Sequence, residues 1–219
     1  MNTVLITGSN RGIGLELCRQ LKARGDQVTA VCRIASDELL SLSLNVIDGI
    51  DVADESSVRQ LAESVAGVQL DWLINNAGIL GREGLENLDF ESIEQQFRVN
   101  SMGPLRVTHA LIPNLGPGSK VGIVTSRMGS VDDNSSGGYY GYRMSKAAVN
   151  MAGVSLARDL EQEGVAVALL HPGMVATDMT ANNGVPVSKS ASGLIRRMDE
   201  LNLQNTGSFW HAEGEILPW

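Results

Sequence analysis

Cysteine is scarce in this chain: 219 residues include only Cys18 and Cys32, both in apolar stretches near the N-terminus. That excludes a disulfide framework and a thiolate zinc site, and the two thiols read as buried and reduced; no metal is expected. Positive charge is short as well. Lysine and arginine number 17 against 25 aspartates and glutamates, a formal net charge of -8. A nucleic-acid partner needs a clustered positive surface, so none is expected, although a phosphate-bearing small molecule needs only one or two local cations. No stretch approaches the roughly 18 apolar residues of a membrane helix, and Met1-Asn2-Thr3 lacks the basic start of an export signal. The expectation is a soluble, cytoplasmic protein with no membrane partner. With 43% hydrophobic and 19% charged residues the chain is globular, and its length, without repeats or linkers, fits one domain over residues 1–219.

What is present is alternation. Short apolar runs at Thr3–Thr7, Gln27–Cys32, Leu44–Ile50, Leu70–Asn75, Lys120–Thr125, Val165–Leu170 and Ser208–Trp210 read as strands. Between them lie helical stretches at Ile13–Lys22, Asp37–Leu42, Glu55–Val65, Phe90–Leu111, Tyr142–Glu163 and Ser188–Leu201. Gly25 ends the first of these and Asp54 starts the third. Strands that alternate with helices pair in parallel through right-handed crossovers. The expected fold class is α/β, a Rossmann-type doubly wound parallel sheet of about seven strands with helices on both faces. Ligands of such sheets sit at the carboxyl ends of the strands.

The first strand runs into Thr7-Gly8-Ser9-Asn10-Arg11-Gly12-Ile13-Gly14 and then into a helix. Glycines at 8, 12 and 14 permit a tight turn and let a pyrophosphate approach the N–H groups of the helix N-terminus. The spacing differs from the Gly-x-Gly-x-x-Gly of ordinary dehydrogenases. An NAD-binding strand ends in an acidic residue for the ribose 2′-hydroxyl; the second strand here ends at Cys32-Arg33, and Asp26 lies at its wrong end. Arg11 and Arg33 together suit a 2′-phosphate, which a guanidinium grips through paired hydrogen bonds. NADP(H) is therefore expected ahead of NAD(H). Tyr142 and Lys146, four apart at a helix start, share a face. An ammonium near a phenol, together with a positive nicotinamide ring, favours its ionised form and makes tyrosine a usable acid or base, so a lowered pKa is expected for Tyr142 beside the cofactor.

With these motifs the chain resembles the short-chain dehydrogenase/reductase family almost end to end, and within it the small carbonyl reductases of the C-factor and sniffer type. Thr7–Gly14, Asn75-Asn76-Ala77-Gly78, Asn100, Ser126, Tyr142-x-x-x-Lys146 and Pro172-Gly173 with Thr177 carry the family resemblance. The start Leu5–Gly12 and the ending Gly214–Trp219 carry the narrower one. The resemblance implies a catalytic set of Asn100, Ser126, Tyr142 and Lys146. Tyr142 would give the proton, Ser126 would hydrogen-bond the developing alkoxide, Lys146 would hold the ribose, and Asn100 would position a water linking Lys146 to solvent. It also implies cofactor contacts at Gly8, Asn10, Arg11, Gly12, Ile13, Gly14 and Arg33, at Asp51 and Val52 beside the adenine, and at Asn76, Ala77 and Gly78 beside the adenosine ribose. Tyr142, Lys146, Pro172, Gly173, Val175 and Thr177 would lie at the nicotinamide end.

Ser126 lies 16 residues before Tyr142, whereas Ser130 lies 12 before it, closer to the dozen usual in the family. Ser126 is preferred because it directly ends a strand and Gly129 follows three positions on; Asp132–Gly138 then reads as a lengthened loop beside the substrate. Tyr139 and Tyr140 have no lysine four residues later, and His171 reads as structural. Residues 181–203 are expected to cover a small carbonyl or alcohol substrate, and the two long helices to pair two copies as a homodimer. The expected activity is NADPH-dependent reduction of an aldehyde or ketone. The alternatives are a dinucleotide-binding signalling protein with incidental turnover, as resemblance to C-factor proteins permits, and a weaker one, a sugar-nucleotide epimerase or dehydratase, whose larger substrate domain is missing here.

Overall fold

The computed structural model describes all 219 residues. Seven parallel strands, β1 (Thr3–Thr7), β2 (Gln27–Val31), β3 (Asn45–Ile47), β4 (Trp72–Asn75), β5 (Lys120–Val124), β6 (Ala166–His171) and β7 (Phe209–His211), form one sheet in the order β3-β2-β1-β4-β5-β6-β7. The order reverses between β1 and β4, which opens a crevice at their carboxyl ends. The strands are apolar on both faces because both are covered. In β1, Val4 and Ile6 enter one core of 22 buried residues, whereas Leu5 enters a second core of 21 on the opposite face.

The first core holds Leu17 and Leu21 from α1 (Gly12–Arg24) and Leu194 and Met198 from α7 (Val187–Glu200). The second holds residues of α3 (Glu55–Ser64), α5 (Gly103–Ala110) and α6 (Tyr140–Asp159). A short α2 (Asp37–Ser41) follows β2, and α4 (Phe90–Phe97) precedes α5. Local chemistry sets several ends. Gly25, left-handed at φ 95°, closes α1 while its N–H and that of Asp26 donate to Lys22 and Leu21 carbonyls. The Asp54 carboxylate accepts from the N–H groups of Ser56 and Ser57 at the start of α3.

One expectation needs correction. The helix read as continuous over Phe90–Leu111 is interrupted by a π-helical turn over Arg98–Met102. Pro104, four residues after Asn100, cannot return the N–H that an α-helix would donate to the Asn100 carbonyl, so the chain widens there. Within residues 181–203, α7 buries Ala191, Leu194 and Met198 in the first core, while Asn182 and Val187 line the cleft described below. No helix is long and apolar enough to cross a membrane.

Candidate active site

A cleft of about 1120 Å³ lies over the carboxyl ends of the central strands. The glycine turn forms its floor. Gly14 must be glycine: a Cβ there would stand 2.2 Å from the Gly8 carbonyl oxygen. Gly8 has φ 68°, which favours glycine, and a Cβ there would stand 2.8 Å from Ala77 Cα. Asn76 stitches the turn to β4. Its side-chain amide donates to the carbonyls of Thr7 (3.0 Å) and Gly8 (3.1 Å), while Thr7 Oγ1 accepts from the N–H groups of Asn76 and Ala77. Asn76, Ala77 and Gly78 line the cleft beside this turn.

These residues fit a dinucleotide. No side chain caps the start of α1, and its first turn holds no acidic residue, so its N–H groups and the positive end of the helix dipole face the cleft, as an anion requires. Arg11, Arg33, Asp51, Val52, Gly78, Pro172 and Thr177 line the same cleft. Asp26, at the far end of β2, pairs with Arg24 at 2.6 Å, well away from it. Two expected contacts do not line the cleft. Gly173 borders a neighbouring hollow of about 610 Å³, and Val175 is buried and bridged to Val185. Gly173 turns the chain through a left-handed φ of 85°, and beyond it Ala176 and Thr177 line the cleft.

Tyr142 and Lys146 stand on one face of α6 at the inner wall. Burial pushes the Tyr142 phenol up to about 12, with the neighbouring Ser126 hydroxyl acting in the opposite sense. Lys146 by itself thus does not bring about the lowered pKa expected beside the cofactor. The ammonium donates to the Val124 carbonyl at 3.0 Å and lies 5.7 Å from the phenol ring centroid. Burial also brings Lys146 down to about 8.

Ser126 follows β5 and caps a short turn, its hydroxyl accepting from the Met128 N–H. The Ser130 hydroxyl instead accepts from the Asp133 N–H and holds the loop beyond. Gly129 lets this segment touch α6, since a Cβ there would lie 2.6 Å from the Lys146 carbonyl carbon. Asn100 is buried. Its Oδ1 accepts from the Ile79 N–H at 2.8 Å, and its Nδ2 donates to the Ile79 carbonyl and to Ser145 Oγ. A Cβ on Gly78 would stand 3.3 Å from Asn100 Oδ1 and 3.7 Å from Lys146 Nζ, so glycine leaves no side chain between the two. His171 is buried and pushed down to about 3 by burial, so it stays neutral, in keeping with a structural part.

Sequence reasoning missed Glu83. This buried residue accepts through Oε1 from Ser92 (2.5 Å) and Gln96 (2.7 Å), and its carbonyl accepts from the Tyr139 N–H at the start of α6. Its partners lie 9 and 13 residues away, and no local pattern marks it.

The fold and the cleft define an α/β protein built to hold a dinucleotide against a Tyr/Lys pair. The family model of the short chain dehydrogenases matches residues 2–186, and the chain belongs to that family. It is 42% identical over 226 residues to the 1-hydroxy-2-glutathionyl-2-methyl-3-butene dehydrogenase of Rhodococcus sp. (strain AD45), with 100% of both chains covered. It also superposes on the NADPH-bound carbonyl reductase from chicken fatty liver with a TM-score of 0.91 and 28% identity, covering 100% of this chain and 99% of that one. With the carbonyl reductase Sniffer of D. melanogaster the TM-score is 0.92 at 27% identity, over 100% of each chain. The chain is an oxidoreductase of this family.

The lowered Lys146 value carries a stability cost. Between about 8 and the ordinary 10.5 the difference corresponds to about 3 kcal/mol, present in full below pH 8 and relieved as pH rises toward 10.5, where the unfolded lysine also loses its proton. Lys146→Met removes the charge but also the bond to Val124, worth about 1 kcal/mol. The cofactor-free variant should be more stable than wild type by about 2 kcal/mol at pH 7, and the gain should shrink toward pH 10. Urea unfolding at the two pH values measures this; a variant less stable at both would contradict the cost.

Proposed function

We propose that this chain is an NADPH-dependent carbonyl reductase acting on aldehydes or ketones. The observation that carries the reading is that Tyr142 and Lys146 share the wall of the cleft floored by the glycine turn, with Ser126 at the phenol. The first turn of α1 would hold the pyrophosphate, Arg11 and Arg33 the 2′-phosphate, and Asp51 and Val52 the adenine. Lys146 would hold the ribose at the nicotinamide end, beside Thr177 and Pro172. When bound, NADPH supplies a hydride to the carbonyl carbon.

Tyr142 delivers its phenolic proton to the carbonyl oxygen. A phenol at about 12 is fully protonated at neutral pH and so is in the state that reduction requires. The Ser126 hydroxyl donates to the same oxygen as negative charge builds on it. Asn100 and Gly129 act as positioning residues. The structures of an NADPH-bound carbonyl reductase and of Sniffer on this fold support the reading. The Rhodococcus dehydrogenase, named for an alcohol substrate, fits the same chemistry run in reverse. Met102 just before α5 and Leu105 on it, with Met144 and Met151 on α6, leave apolar side chains exposed, which supports pairing of two copies there. The test of function is NADPH oxidation against a panel of aldehydes, ketones and diketones. One alcohol should form per NADPH consumed, and a panel without turnover would contradict the proposal.

A further inference from the structure

Arg11 occupies the position before α1, within the glycine turn, and its guanidinium makes one bond, to the carboxylate of Asp178 at 3.1 Å. Asp178 opens a short turn over Asp178–Thr180, in the chain that joins β6 to α7. This segment rests against the glycine turn, with Thr177 Cγ2 3.4 Å from where a Cβ on Gly12 would be. From the other side the Arg82 guanidinium donates to the Met179 carbonyl at 2.9 Å. The turn is followed by Ala181 and Asn182, both left-handed at φ 51° and 59°, so its backbone course is tightly specified. Asp178 is thereby fixed beside a cation that the proposed function assigns to another anion.

We infer that Asp178 is a specificity-determining residue, which competes with the cofactor 2′-phosphate for Arg11 and so limits the preference for NADPH over NADH. The inference rests on the assignment of Arg11 and Arg33 to that phosphate. With NADPH, Arg11 turns to the phosphate, and the bond to Asp178 is given up. With NADH no such exchange is needed, and the Arg11–Asp178 pair stays across the cleft. Arg33 is exposed and forms no ion pair, so nothing on the chain competes for it. The carboxylate and guanidinium side chains are 73% and 69% exposed, which keeps the competition modest because solvent screens it.

The experiment is a titration of NADPH and of NADH, each followed by calorimetry, into wild type, Asp178→Asn, Arg11→Ala and the double variant. Asparagine keeps the shape and removes the charge. Asp178→Asn should tighten NADPH binding by about threefold to tenfold and leave NADH binding unchanged or weaker. In the Arg11→Ala background, where Arg33 still supports NADPH binding, the same substitution should change neither affinity. The inference is overturned by an equal change for both cofactors, by no change, or by an NADPH effect that persists without Arg11. A wild-type chain that binds NADH as tightly as NADPH overturns the cofactor assignment itself, and the inference with it.

Discussion

Tyr142→Phe should bind NADPH as tightly as wild type, within about threefold, yet lose on the order of 10²–10⁴-fold in kcat, the usual contribution of a positioned acid. The hydroxyl is the one atom removed, so the ring still fills its place in the cleft wall while the proton source for the carbonyl oxygen is gone. The size of the loss follows from what else surrounds the reacting oxygen: Ser126 can stabilise charge but does not replace a committed donor. The pH dependence adds a second check. With the phenol near 12 and Lys146 near 8, wild-type reduction should hold level below pH 8 and decline above it as the lysine loses its proton. Oxidation of an alcohol needs the phenolate and should instead rise with pH. A Phe variant with wild-type turnover would remove Tyr142 from the chemistry.

The second large effect separates two serines. Ser126→Ala should cost on the order of 10²–10³-fold in kcat, the scale measured for the loss of one preorganised donor to developing negative charge. Ser130→Ala should stay within about threefold, because its hydroxyl holds the Asp133 N–H of a surface loop. Ser126 also caps the turn that follows it, so its variant should lose about 1 kcal/mol of stability; kcat measured well below the unfolding temperature keeps the two effects apart. A dead Ser130→Ala beside an active Ser126→Ala would reverse the assignment.

The sheet was legible in the sequence because its strands are buried on both faces and read as plain apolar runs, and because Gly25 and Asp54 punctuate the helices where their chemistry demands. The glycine turn was legible for a steric reason, since no other residue fits at Gly14. The pair Tyr142 and Lys146 was legible from helical spacing taken together with the glycine turn, since that spacing alone is common in helices. What their side chains do was not. Lys146 turns to the Val124 carbonyl, a choice made by burial and by a strand 22 residues away. The π-helical turn at Asn100 carried a signal in Pro104, which a reading by apolar periodicity passes over. Ala191, Leu194 and Met198 are a core stripe at helical spacing, and that spacing alone does not tell which side of the sheet α7 covers. The Arg11–Asp178 pair joins residues 167 apart, and only the folded chain brings them together.

The central claim is that hydride passes to a carbonyl carbon in this cleft. The most direct measurement uses NADPH carrying deuterium at the transferable position of its nicotinamide ring, with a ketone substrate and mass-spectrometric analysis of the product. The account predicts one deuterium on the carbinol carbon of the product alcohol from wild type, and the same labelled alcohol formed on the order of 10²–10⁴-fold more slowly by Tyr142→Phe. Tight NADPH binding with no labelled alcohol from wild type would contradict it.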